Sequence, residues 1–194
     1  TAVTTGTNNT IMGGLAGDAL TTSGSNVLIG TNAGTSATIG NSNTAIGKDA
    51  MYTNVAADRN VAIGMQALYT MTSATTADTY NVAVGYQAGT LITTGVNNTI
   101  MGGLAGDALT TGTNNVALGY GALGTEDTGG QNVAIGVNAL TTLNYGADGY
   151  NVAIGYDSGV SMTTGVQNTI LGGLAGDALT TGSYNVALGY SSLT

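Results

Sequence analysis

A five-residue motif that begins with asparagine, Asn-Val-Ala-Leu-Gly at residues 115–119, recurs along the whole chain. Eight of the ten intervals between successive copies are 17 residues, one is 21 and one is 19. A repeat that is too short to bury its own apolar face has to stack on its neighbours, so a fixed period predicts a solenoid. The eleven leading asparagines are Asn9, Asn26, Asn43, Asn60, Asn81, Asn98, Asn115, Asn132, Asn151, Asn168 and Asn185.

Each coil can be numbered from its asparagine as position 0. Position 1 is Val or Thr, position 2 is Ala, Ile or Leu, and position 3 is Ile, Val, Leu or Met, which predicts a short β-strand. Position 4 is always glycine, which favours a turn with positive φ or a close backbone approach. We therefore predict an all-β parallel solenoid of about eleven 17-residue coils, a single repetitive segment over residues 1–194 that is part of a longer fibre. The position-4 glycines are Gly13, Gly30, Gly47, Gly64, Gly85, Gly102, Gly119, Gly136, Gly155, Gly172 and Gly189.

Both faces of the predicted strand are apolar. Side chains alternate along a strand, so positions 1 and 3 share one side and position 2 lies on the other. We expect positions 1 and 3 to face inward and position 2 to form a second apolar surface, covered by other copies in a closed homo-oligomer. The expected outward residues include Ala83, Ile100, Ala117, Ala134, Ala153, Ile170 and Ala187.

Polar residues inside the repeat are better explained by structure than by chemistry. Asparagines stacked at position 0 are expected to hydrogen-bond as a ladder or to pair with turn backbone. Asp18, Asp107 and Asp177 recur in Gly-Asp-Ala-Leu and are interpreted as turn caps, since one carboxylate per coil supplies too few oxygens for calcium unless other copies of the chain contribute. Glu126 and Asp127 are assigned to solvent.

Composition argues against catalysis, cofactors and metals. The chain has no Cys and no His, so the usual zinc ligands and the commonest general base are missing. With two basic residues and a net charge of −8, nucleic acid is an unsuitable partner. The chain contains no run of about 18 apolar residues, so no membrane insertion is predicted. Residues 119–124 match a dinucleotide fingerprint, but the required helix is not predicted.

Two irregularities and one aromatic series are the candidate binding features. The long intervals place insertions near residues 69–80 and 143–150, and insertions in repeat proteins commonly form the contact face. A second set of tyrosines occupies position 5, where they either bind a partner or pack on the next coil or chain. The candidates are Tyr69, Tyr80, Tyr145 and Tyr150 near the insertions, and Tyr86, Tyr120, Tyr156 and Tyr190 at position 5.

Four segments of the chain resemble the head repeats of YadA-type trimeric autotransporter adhesins. The segments are NTAIGKDA, NVAIGMQAL, NVAVGYQAG and NVAIGVNAL, which begin at Asn43, Asn60, Asn81 and Asn132. They are still more similar to the repeats in phage tail fibre shafts. The resemblance covers nearly the whole chain and implies a left-handed β-roll of three chains side by side. The 17-residue coil is longer than the adhesin family's usual one.

The resulting expectation is an extracellular shaft segment of a trimeric phage tail fibre or surface adhesin, located on the virion or cell surface. It would support attachment to a cell-surface glycan or protein receptor, without enzymatic activity. Three alternatives are a self-polymerising filament, an ice-binding solenoid with paired threonines, and a polysaccharide lyase. The threonine series is interrupted, and no carboxylate cluster suits a lyase.

Overall fold

The computed structural model describes residues 4–38, 40–72 and 77–194, and it confirms the predicted parallel β-solenoid. Strand segments of three residues form one parallel sheet, and two segments of two residues form a second. The large sheet contains β1 (Thr10–Met12), β2 (Val27–Ile29), β3 (Thr44–Ile46), β5 (Val61–Ile63), β7 (Val82–Val84), β8 (Thr99–Met101), β9 (Val116–Leu118), β10 (Val133–Ile135), β11 (Val152–Ile154), β12 (Thr169–Leu171) and β13 (Val186–Leu188). The small sheet contains β4 (Ala57–Asp58) and β6 (Ala77–Asp78).

The eleven strands of the large sheet pair in the order of the sequence and in exact repeat register. Both long intervals preserve that register, since Val61 pairs with Val82 and Val133 pairs with Val152. Ten steps of strand spacing give a stack about 50 Å long. No helix occurs in the ranges that the structure describes, and hence none that could cross a bilayer.

Position 2 faces the interior of the chain, which corrects the predicted orientation. Ala117 and Ile100 are fully buried in the chain's own core, together with position 7 and most of position 11. Positions 1 and 3 point outward and are partly exposed in most coils. Alternation along the strand was predicted correctly, but the two sides were exchanged, because both are apolar and alternation alone does not say which is inside.

The side chains at positions 2 and 8 fill the core together. A large residue at position 2 is paired with glycine at position 8, and a small one is usually paired with a large residue there, a pairing that we call the size exchange. Every coil with Ile or Leu at position 2 has glycine at position 8, and five of the seven coils with Ala at position 2 have Leu or Met there. At Gly34, a Cβ atom would lie 2.8 Å from a methyl carbon of Leu28. Because protein interiors are close-packed, this exchange keeps the core volume nearly constant in the nine coils that follow it, four with Ile or Leu and five with Ala at position 2.

The position-0 asparagines form a continuous hydrogen-bonded column. The Oδ1 atom of Asn98 accepts the backbone N–H of Asn115 at 3.0 Å, and its Nδ2 donates to the carbonyl of Gly112 at 2.9 Å. The bond from the backbone N–H to the preceding Oδ1 links successive coils from Asn9 to Asn185. The structure therefore contains both arrangements that the sequence suggested, an amide ladder and a bond to turn backbone.

The position-4 glycines meet both conditions proposed for them. Gly119 has φ of +138°, and a Cβ atom on it would lie 2.4 Å from the carbonyl oxygen of Gly136. A larger residue would be strained and would also collide with the next coil. Strand length is therefore limited to three residues by a glycine that stacks on its counterpart in the following coil.

Candidate functional surfaces

The outward face of the large sheet is an apolar strip that follows the whole stack. It is built from positions 1 and 3 of eleven strands, and among these 22 residues four are Thr and the rest are Val, Ile, Leu or Met. No charged residue interrupts it. Contiguous apolar surface of this length is typical of a protein contact site. We call these 22 residues the outer sheet face.

The position-5 tyrosines lie beside the outer sheet face, just past the position-4 glycine. Their exposed fractions are 49% at Tyr86, 57% at Tyr120, 58% at Tyr156 and 77% at Tyr190. Tyr120 leans toward the preceding coil, where its nearest ring carbon lies 3.5 Å from the site of a Cβ on Gly103. These tyrosines contact neighbouring coils and also expose much of their surface.

The first insertion returns to the preceding coil. Residues 73–76, within the predicted insertion, lie outside the described residues. After them, Ala77–Asp78 pairs in parallel with Ala57–Asp58. Asp78 also forms an ion pair with Arg59 and accepts the hydroxyl of Tyr80 at 2.9 Å. The guanidinium of Arg59 lies 5.8 Å from the centroid of the Tyr80 ring.

The start of the insertion belongs to the regular coil. Met71 is fully buried at position 11, and Tyr69 stacks on Tyr52 with ring centroids 5.1 Å apart. Tyr69 is therefore a packed residue, whereas Tyr80 is half-exposed at the edge of the sheet. Leu143, at the start of the second insertion, is likewise fully buried.

The second insertion is held by Glu126, which corrects its assignment to solvent. The residue is 0% exposed, and its carboxylate accepts the N–H of Gly129 at 2.8 Å and of Tyr145 at 3.4 Å. Burial raises the pKa of Glu126, and hydrogen bonds from Gly129, Tyr145 and Gly146 act in the opposite direction. The sequence carried a signal for this, because Glu126 occupies position 11, which is apolar in eight coils.

Tyr145 and Tyr150 are the exposed aromatic residues of the second insertion. Their exposed fractions are close to one half. Gln131, in the preceding coil, donates through Nε2 to Asp148 at 2.9 Å and to the hydroxyl of Tyr150 at 3.0 Å. The insertion therefore presents two tyrosines from a loop that is anchored at several points.

Several threonine hydroxyls form hydrogen bonds between successive coils. Thr21, Thr93 and Thr110 each donate to a backbone carbonyl in the next coil at 3.0–3.1 Å. These hydroxyls are engaged within the stack, which weighs against the regular free threonine array that ice binding requires. These hydrogen bonds explain why Thr recurs in the sequence, and no ligand is needed for that explanation.

The described acidic residues form no cluster of three or more that could hold a metal ion. Desolvation raises the pKa of Asp107, and hydrogen bonds from the backbone N–H groups of Asp107 and Ala108 act in the opposite direction. No cavity or cleft is present among the described residues.

Comparison with protein families, with curated proteins and with solved structures finds no significant match for this chain. The class of protein that the structure itself defines is a parallel β-solenoid repeat protein.

Proposed function

We propose that this chain is a structural and adhesive shaft segment of a trimeric phage tail fibre or surface adhesin. In this proposal three copies of a left-handed β-roll run side by side outside the cell or on the virion, and they support attachment to a host receptor. The observation that carries the proposal is the outer sheet face, an uncharged apolar strip that extends over eleven strands.

Because the chain is repetitive, the contacts between two copies add up coil by coil. Each coil presents the same pair of outward residues at the same strand spacing, so a second copy in register repeats one small contact in every coil. Apolar burial stabilises association by about 25 cal/mol per Å², and the strip offers many such contacts. A closed ring of three would cover the strip on every chain.

The stack also has the features that a shaft requires. The asparagine column, the parallel strands and the threonine bonds connect each coil to the next over the full described length. Solenoids of this kind are stabilised by interfaces between neighbouring repeats, so the whole rod resists bending as long as every interface is formed.

A charged substitution at the centre of the outer sheet face tests the proposal. Ile135→Asp should reduce the solution mass from three chains to one, because a carboxylate would be buried without a partner. Val137→Asp is the matched control, since Val137 lies two residues away at exposed position 5. An unchanged mass for Ile135→Asp, with the control also unchanged, would show that the face is not the contact.

Ala117 is unsuitable for this test. It is fully buried within its own chain, so a charge there would disrupt the coil before it affected any assembly.

A further inference from the structure

Four tyrosines recur at every second coil in the C-terminal half of the stack. The position-5 residues of seven consecutive coils are Tyr86, Gly103, Tyr120, Val137, Tyr156, Gly173 and Tyr190. Adjacent parallel strands are about 4.8 Å apart, so the tyrosines repeat at about 9.6 Å along the stack. We call these four residues the tyrosine row.

The backbone fixes the spacing of the tyrosine row. The carbonyls of Tyr86, Tyr120 and Tyr156 accept N–H groups of the following coil at 2.9, 2.9 and 2.8 Å. The ring of Tyr190 packs over Gly173 of the preceding coil, where a Cβ would lie 3.7 Å from a ring carbon, at ordinary van der Waals distance. A row that is already ordered loses little conformational entropy when it binds a ligand.

Hydrogen-bonding side chains accompany the row at position 6. Asn138 donates to the carboxylate of Asp157, the residue next to Tyr156, at 3.0 Å. Gln87 donates to Gln66 at 2.8 Å. The edge therefore combines aromatic surface with amide and carboxylate oxygens that can accept further hydrogen bonds.

We propose that the tyrosine row binds an extended, uncharged, β-linked glycan that lies along the axis of the stack. In an extended β-1,4-linked glycan successive rings are turned over, so the same C–H face recurs every second ring, a distance close to two strand spacings. Each tyrosine can then stack on an equivalent sugar face. The net charge of −8 favours a neutral glycan over an acidic one. This inference rests on the attachment role proposed above and names the chemistry of the receptor.

A polyproline helix has a similar repeat of about 9.3 Å for three residues. Its backbone offers carbonyl acceptors and no N–H donors, so it could add no hydrogen bond to the carboxylate of Asp157, which already accepts one from Asn138. A glycan carries hydroxyl donors on every ring. The polar groups beside the row therefore favour the glycan.

Titration calorimetry of the full 194-residue chain with cellohexaose and chitohexaose tests the proposal. The chain has no Trp, so tyrosine fluorescence reports the same event directly. A hexasaccharide covers three two-ring repeats and should bind more tightly than the disaccharide of the same sugar. Failure of both hexasaccharides to bind would overturn the proposal, as would tighter binding of a proline-rich peptide.

Two sets of variants separate stacking from general surface effects. Tyr120→Ser with Tyr156→Ser should weaken hexasaccharide binding at least roughly tenfold, since two central aromatic contacts are lost. Tyr184→Ser is the control, because Tyr184 is 75% exposed but lies immediately before its asparagine, outside the row. Equal affinity in the double variant and the control would contradict the proposal.

A swap variant tests the spacing itself. Tyr120→Val combined with Val137→Tyr keeps four tyrosines at position 5 but breaks their two-coil interval. We expect a loss of affinity close to that of Tyr120→Val alone, and unchanged affinity would overturn the proposed match. Thermal unfolding confirms that each variant is folded.

Solution mass separates this inference from the shaft proposal. If the chain is a trimer that does not bind the glycan, only the glycan inference is contradicted. If the chain is a monomer that binds the glycan, only the proposed trimer is contradicted. A change of mass in the tyrosine variants would assign the row to the contact between copies and would overturn the inference.

Discussion

The two coils with insertions solve the same problem with different chemistry. The coil that begins at Asn60 carries four extra residues, and the coil that begins at Asn132 carries two. In both cases the preceding coil has a polar residue at position 11 of the core, Asn54 and Glu126 respectively, and both are buried. In each of these coils, a polar side chain that can hydrogen-bond to the backbone replaces the apolar side chain that is usual at position 11.

The local geometry of the two polar residues is closely similar. Asn54 accepts the N–H of Ala57 at 2.9 Å, and Glu126 accepts the N–H of Gly129 at 2.8 Å, three residues later in each case. In both inserted coils the leading asparagine also turns its amide toward the carbonyl two residues before it, instead of the one fourteen residues after it.

The difference lies in what holds the inserted residues. The first insertion is attached by a strand pair, β4 with β6, and by the exposed ion pair of Arg59 and Asp78. The second is attached through Gln131 and also through the buried carboxylate of Glu126, which accepts the N–H of Tyr145. Both insertions therefore have several anchors, but only the second has a buried ionisable group among them.

Replacing Glu126 should produce the largest effect. Glu126→Leu is expected to lower the free energy of unfolding by about 2–3 kcal/mol, since buried N–H groups lose their acceptor. Deleting Ala147 and Asp148 restores a 17-residue coil, and in that background the same substitution should cost at least about 1 kcal/mol less. Denaturant unfolding of the four proteins measures this coupling. An identical cost in both backgrounds would disconnect Glu126 from the insertion.

The matched change in the first insertion is Asn54→Leu. We expect a smaller loss of stability, about 1–2 kcal/mol, because β4 and β6 continue to hold the insertion after the Ala57 N–H loses its acceptor. Denaturant unfolding under the same conditions gives the comparison. A loss greater than that of Glu126→Leu would reverse the proposed contrast.

The two attachments should also differ in their response to pH. Burial raises the pKa of Glu126 above its ordinary value, so folding is less favourable when this group is ionised than when it is protonated. The contribution of this group to stability is complete below its unfolded pKa and is lost as pH rises through the folded pKa. Relative to Glu126→Gln, the native chain should therefore gain stability as pH falls from 7 towards 4.5.

Thermal unfolding of both proteins across that range checks the sign, since other acids titrate in both and cancel. A parallel pH dependence would mean that Glu126 keeps its ordinary pKa. Asn54→Asp introduces a carboxylate at the equivalent place and should acquire the same type of dependence.

The smallest effect is expected from Asp78→Asn. The ion pair with Arg59 is about half-exposed on both sides, so its loss should cost less than about 1 kcal/mol. The difference should disappear in about 1 M salt, where the Debye length falls to about 3 Å. A salt-independent loss would assign the effect of Asp78 to its hydrogen bond with Tyr80.

The sequence predicted the solenoid because the constraint is repeated. Asn115 and Gly119 have equivalents in all eleven coils, and neither tolerates another residue easily, one for hydrogen bonding and the other for steric reasons. The register across both insertions followed from the same anchors. These features depend on local chemistry that the period makes visible.

The inward side of the strand was not predictable from alternation. Both sides are apolar, and the deciding signal is the size exchange between positions such as Leu28 and Gly34, which is meaningful only if the two residues share an interior. Glu126 was missed for a related reason, because a lone acid in a turn is normally solvated, and only comparison with Leu109 and Leu143 at the same position indicates burial.

The central claim is that each chain buries position 2 within itself and covers positions 1 and 3 with its sister chains. Sedimentation or native mass spectrometry of the unmodified chain tests it most directly. Three chains of 18.9 kDa each are expected in one particle. A stable monomer at micromolar concentration, with the outer sheet face exposed to water, would contradict the account.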